Sequence, residues 1–120
     1  MNTKEAAMRE DGKIDYVEFP AGDLIPLKRF YEAAFGWTFT DYGPTYAAMA
    51  EGLDGGFNGD AADQAGAPLV ILYAHDLEAM EAKVRAAGGV VTRPIFDFPG
   101  GRRFHFKDPS GNELAVWSEG

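Results

Sequence analysis

Residues 104–117 read FHFKDPSGNELAVW, and the way this stretch divides decides how the rest of the chain is parsed. Phe104 and Phe106 alternate with His105 and Lys107, the two-residue period of a half-buried strand. Asp108, Pro109, Ser110, Gly111 and Asn112 then supply side-chain acceptors, a fixed φ and a residue tolerant of positive φ, which together make a tight reversal. Glu113 to Trp117 resumes an extended pattern around Leu114 and Val116, so the chain is expected to close in a β-hairpin.

Upstream of the hairpin, Leu69–Ala74 is an apolar strand and Asp76 an N-cap. Leu77, Met80, Val84 and Ala87 follow at helical spacing before Gly88 and Gly89. Glu78 and Glu81 near the start of that helix, and Lys83 and Arg85 near its end, suit the helix dipole. Val90–Pro94 is a strand that Phe96–Phe98 continues past Pro94 at a sheet edge. The first half has the same grammar. Ile14–Pro20 is a strand with Tyr16 and Glu18 on one face and Val17 and Phe19 on the other. Asp23 caps a helix whose stripe is Leu24, Leu27, Tyr31 and Ala34, and Gly36 stops it. Trp37–Tyr42 and Thr45–Ala50 are expected strands, glycines 52, 55 and 56 a reversal, and Phe57 the beginning of a short fourth strand. Residues 58–68 read as an exposed connector. A constant offset of 53 residues lays Asp76 on Asp23 and Gly89 on Gly36, so two like-built halves are expected.

The 120 residues suffice for one domain with a real core. A formal charge of −8 argues against a nucleic-acid or anionic-membrane partner. The absence of cysteine removes disulfides, thiolate metal sites and a cysteine nucleophile, and fits a cytoplasmic location. The charged opening residues lack the apolar centre of a secretion signal, and residues 1–12 are expected to form a frayed or loosely docked tail. The paired glycines lack the setting of a phosphate loop, and no serine lies in a nucleophile elbow.

Four pieces, YVEFPAGDL at 16–24, FYEAAFGW at 30–37, AAGG at 86–89 and DPSGNELAVW at 108–117, resemble the glyoxalase, bleomycin-resistance and extradiol-dioxygenase superfamily, also called the vicinal oxygen chelate fold. The resemblance runs from Ile14 to Trp117. It implies an α+β fold of two βαβββ modules, about 13–60 and 68–119, in one domain over 13–120. Their strands would form a curled, cup-shaped mixed sheet with helices outside, and two copies would pair as a homodimer. In members that use a metal, the resemblance puts the ligands at Tyr16, near Phe57 or Asn58, at Leu69 and at Ala115. Leucine and alanine offer no lone pair, so the usual metal site is expected to be lost, and no cofactor is assigned, with a divalent ion kept open.

Glu18 shares a strand face with Tyr16 and is the candidate acid, base or hydrogen-bond acceptor. His105 faces away from the layer that Phe104 and Phe106 bury and is a candidate to line the cup. Trp37, Tyr42, Tyr46, Phe57 and Trp117 could wall it, which suits a flat or apolar ligand. The expected function is small-molecule binding by Tyr16, Glu18, Trp37, Phe57, His105 and Trp117 without a catalytic metal. The rival is a lyase, isomerase or dioxygenase-type enzyme using Glu18 as base, or an unconventional metal site from Glu18, His105 and Glu113. A third is a regulatory or structural partner whose cup is filled by its own side chains.

Overall fold

The computed structural model describes residues 9–63 and 65–120. Residues 1–8 of the expected tail and Gln64 of the expected connector lie outside the described residues. The chain is α+β, with two βαβββ modules in succession. Residues 16–69 form one compact unit, and residues 70–120 with the described residues up to Asp15 form another.

In the first module β1 (Ile14–Pro20) leads to α1 (Leu24–Phe35), then β2 (Thr40–Asp41), β3 (Tyr46–Glu51) and β4 (Leu53–Asn58). The strands lie in the order β2-β3-β4-β1, with β1 parallel to β4 and the other neighbours antiparallel. The Asp23 carboxylate accepts from the Ile25 N–H at 3.1 Å and so satisfies one of the donors that a helix start leaves open. At the other end Gly36 takes φ 72°, and its N–H bonds the Glu32 carbonyl at 3.0 Å. The apolar stripe of α1 packs on one sheet face, where Leu24, Ala47 and Phe57 are buried among Phe19, Leu27, Tyr31, Trp37, Phe39 and Met49.

Two expectations for this module need correction. Only Thr40 and Asp41 of the stretch 37–42 pair as a strand, opposite Ala48 and Ala47. Trp37 instead stacks on Tyr31 at 4.6 Å and Phe39 lies 6.1 Å from Phe57, so helix packing overrides the local strand preference. Phe57 stands near the end of β4, and Gly55 and Gly56 lie inside that strand. Of the three glycines only Gly52, at φ 95°, serves the reversal.

The second module runs β5 (Leu69–Tyr73), α2 (Leu77–Ala86), β6 (Val90–Phe98), β7 (Gly101–Lys107) and β8 (Glu113–Ser118). Its order is β5-β8-β7-β6, with β5 and β8 parallel and the rest antiparallel. Asp76 caps α2 by accepting from Ala79 N–H at 3.0 Å. The left-handed residue that follows α2 is Gly88, at φ 102°, so the 53-residue offset aligns the helix starts while the stops slip by one. Ala74, Leu77, Phe104 and Val116 form the buried core, packed by Met80, Val84, Val91, Ile95 and Phe106.

The closing hairpin forms as expected. Asp108 accepts from the N–H groups of Ser110 and Asn112 at 2.8 and 3.0 Å and from the Asn112 side chain at 3.0 Å. The Asn112 bonds hold its carboxyl below the usual range. Strand β6 carries Pro94 at the sheet edge, and its register with β7 breaks between Val91 and Arg93 and again between Arg93 and Phe96. The described part of the expected tail is tied down: Gly12 N–H bonds the Tyr73 carbonyl at 2.8 Å, and Arg9 pairs with Asp15 at 2.7 Å.

Candidate functional site

The strands of each module bury one face against that module's helix, so the chemistry to consider lies on the other, helix-free face. In the first module the two-residue period of β1 sends Val17 and Phe19 one way and Tyr16 and Glu18 the other. The register sets Glu18 opposite Gly56, and Gly56 opposite Ala48, with Tyr46 two residues before Ala48 on the same face.

Tyr46 donates its hydroxyl proton to Glu18 Oε2 at 3.0 Å. A phenol has one proton, so the 2.8 Å contact between the Tyr16 and Tyr46 hydroxyls is made by Tyr16 donating to the Tyr46 oxygen. The three side chains thus form a directed chain, Tyr16 to Tyr46 to Glu18, ending on a residue that is 5% exposed. Burial pushes the Tyr16 phenol up to about 12; the Tyr46 hydrogen bond opposes the rise and the Glu18 charge adds to it. Tyr46 is raised further, by burial and by the charge of Glu18 beside it.

Room for this arrangement comes from Gly56. A Cβ there would stand 2.5 Å from the Tyr16 hydroxyl and collide with the Tyr46 hydroxyl as well. The absence of a side chain lets both phenols settle over the strand.

A raised phenol pKa favours the neutral form in the fold. The stability it contributes is therefore complete below the ordinary value of 10.0 and lost as pH rises towards 12. Alkaline spectrophotometric titration should show a tyrosinate step near pH 12 that disappears in Tyr16→Phe; an unchanged titration curve in that variant would contradict the assignment.

In the second module His105 shares the helix-free face with its cross-strand neighbours Ala115 on β8 and Arg93 on β6. His105 is 6% exposed and its Nδ1 lies 3.4 Å from Glu113 Oε2. Burial pushes the imidazole pKa down and the Arg103 and Arg93 charges add to this, while Glu113 pulls the other way. Trp117 donates through its indole N–H to Asp15 at 2.9 Å, with the Arg9 guanidinium 5.0 Å from its ring.

The proposed site residues thus separate. Tyr16 and Glu18 come together with Tyr46, which the sequence offered only as a wall; His105 and Trp117 lie on the second module's helix-free face. Trp37 and Phe57 lie on the helix side of the first sheet, in the core beneath α1. Tyr42 is 66% exposed. Asn58 holds a loop, donating to the Asp63 carbonyl and accepting from Asp60 N–H, both at 2.9 Å. Leu69 and Ala115 are buried. Gly56 was missed as a site residue, although a Gly-Gly pair within an extended stretch signals a close approach. Among the described residues no three His, Asp or Glu side chains gather closely enough to hold a metal ion. No helix among them is long and apolar enough to cross a membrane.

The model of the Glyoxalase/Bleomycin resistance protein/Dioxygenase superfamily matches residues 13–116. The chain belongs to that superfamily. This glyoxalase-superfamily chain is also 34% identical, over 120 aligned positions, to the anthracycline biosynthesis protein DauV of Streptomyces sp. strain C5, an alignment covering 82% of this chain. It spans 44% of that curated relative's length. Among solved structures it is similar to methylmalonyl-CoA epimerase from Mycobacterium tuberculosis, with TM-score 0.70, 14% identity and coverage of 95% of this chain and 92% of that one. It is also similar to the Mn(II)-bound glyoxalase from Novosphingobium aromaticivorans, with TM-score 0.64, 23% identity and coverage of 93% and 40%. At these identities the structural neighbours establish the glyoxalase-superfamily fold.

Proposed function

We infer that this superfamily member binds a small, flat aromatic molecule over the helix-free face of its first module, without a metal. The hydrogen-bonded chain of Tyr16, Tyr46 and Glu18 over Gly56 carries this reading. Two phenol rings offer an apolar surface, and the Tyr16 oxygen, whose O–H is directed at Tyr46, can accept from a ligand hydroxyl. The relative named for anthracycline biosynthesis supports a planar polycyclic aromatic ligand, since that is the chemistry of an anthracycline.

The donor set supports the metal-free part. Of the positions where the superfamily's metal users hold their ion, Leu69 and Ala115 offer hydrocarbon, Asn58 is engaged in its loop, and Tyr16 keeps its proton to about pH 12. These residues do not fit a divalent cation.

Calorimetric titration with a hydroxylated anthraquinone tests the reading. Binding should weaken about 10-fold in Tyr16→Phe, the loss of one hydrogen bond. A folded protein that takes up no such ligand, or that binds nickel, zinc, iron or manganese tightly at one ion per chain, would overturn it.

A second reading is favoured by one observation: Glu18 is a buried acidic residue, 5% exposed, on the helix-free face, where a carboxylate can act as a general base. On that reading Glu18→Gln lowers turnover about 10²- to 10⁴-fold with the fold intact. Retained turnover in that variant would dismiss it.

A further inference from the structure

The second module holds a buried imidazole with one nitrogen committed and the other not. His105 Nδ1 faces the Glu113 carboxylate at 3.4 Å, and because a carboxylate oxygen can only accept, the proton of the neutral ring belongs on Nδ1. Nε2 then carries a lone pair, and this buried atom has no hydrogen-bond partner among the described residues. Leaving a buried acceptor unsatisfied costs stability that an apolar residue at this position would not. The register sets His105 between Ala115 on β8 and Arg93 on β6.

The neighbours define what could meet that lone pair. The Phe96 ring lies 5.6 Å from the imidazole, and the Arg93 guanidinium is 3.6 Å from the Phe96 centroid with that of Arg103 at 5.5 Å. An aromatic ring thus lies beside the imidazole and two cations lie against that ring, which suits a planar ligand with a hydroxyl able to become an anion.

We propose that His105, held in its tautomer by Glu113, is a proton-accepting site for the acidic hydroxyl of a phenol or enol. In that step the ligand O–H bond breaks, the proton moves to Nε2 and the electron pair stays on the ligand oxygen. The imidazolium is paired with Glu113, and the oxyanion lies beside Arg93 and Arg103. An ordinary alcohol is too weak an acid, because burial and the two cations disfavour the protonated ring. Phe96 packs against the buried imidazole, and the proposal requires it to move aside for a ligand to reach Nε2. It stands on an edge strand at the second break in register, paired with Arg103 on one side and with no strand on the other among the described residues.

The probe is 4-nitrophenol, whose phenolate absorbs at longer wavelength than the phenol. Added to the full chain at a pH below the probe's own pKa, it should develop the phenolate band as protein is titrated in. The band should vanish in His105→Gln with circular dichroism unchanged, weaken about 10-fold in Glu113→Gln, and form faster in Phe96→Ala. Nitrogen NMR of the imidazole gives a readout independent of any variant's fold: Nε2 should be unprotonated in the free protein and become protonated with the probe. A band that persists in His105→Gln, an Nε2 already protonated in the free protein, or an imidazole spectrum unmoved by saturating 4-nitrophenol would each overturn the proposal.

Discussion

Phe104→Ala is expected to remove about 3–5 kcal/mol of folding stability, the range for truncating a buried phenylalanine. Phe104 is 0% exposed, lies opposite Val116 across the β7–β8 hairpin and belongs to the core beneath α2 with Leu77 and Ala74. Small domains are stable by only about 5–15 kcal/mol, so the variant should be partly unfolded under mild conditions. Urea melts at neutral pH provide the measurement, with Phe106→Ala as the comparison. Phe106 is only half-buried on the same face and should cost distinctly less. A loss below about 1 kcal/mol for Phe104→Ala would mean that the hairpin's inner face is not the core of its module.

Gly56→Ala should have the second-largest effect and the most informative one. The added Cβ cannot fit under the hydroxyls of Tyr16 and Tyr46, and the backbone at Gly56 is ordinary extended strand, so the whole cost is steric. Forcing the two phenols aside should destabilise by about 1–3 kcal/mol and break the bonds that lead to Glu18. Ligand affinity at the first module should therefore fall in step with the loss of the high-pH tyrosinate signal. Gly66→Ala is the control, since a Cβ there meets nothing within 4 Å and its φ is not in the left-handed region. That variant should be neutral or slightly stabilised. Equal stability for Gly56→Ala and Gly66→Ala would refute the close approach.

The sequence by itself determined the repeated βαβββ plan, because its signals are local. Asp23 and Asp76 cap their helices through atoms two and three residues away, and Asp108 to Asn112 turn the hairpin within one short loop. Strand period likewise placed Tyr16 with Glu18 and set His105 against Phe104, since alternation is a property of the backbone. It could not say which aromatics belong to the core. Trp37 and Phe57 read as well for a ligand wall as for the layer under α1, and only the packing of Tyr31 and Leu24 against them assigned them to the latter. Tertiary structure alone also decided that Tyr46 bridges Tyr16 and Glu18, that Gly56 makes the room, and that His105 keeps a buried Nε2 without a partner among the described residues. Each of these depends on which residues of separate strands face one another, and that register is fixed by non-local pairing across the sheet, which the residues of any single strand do not encode.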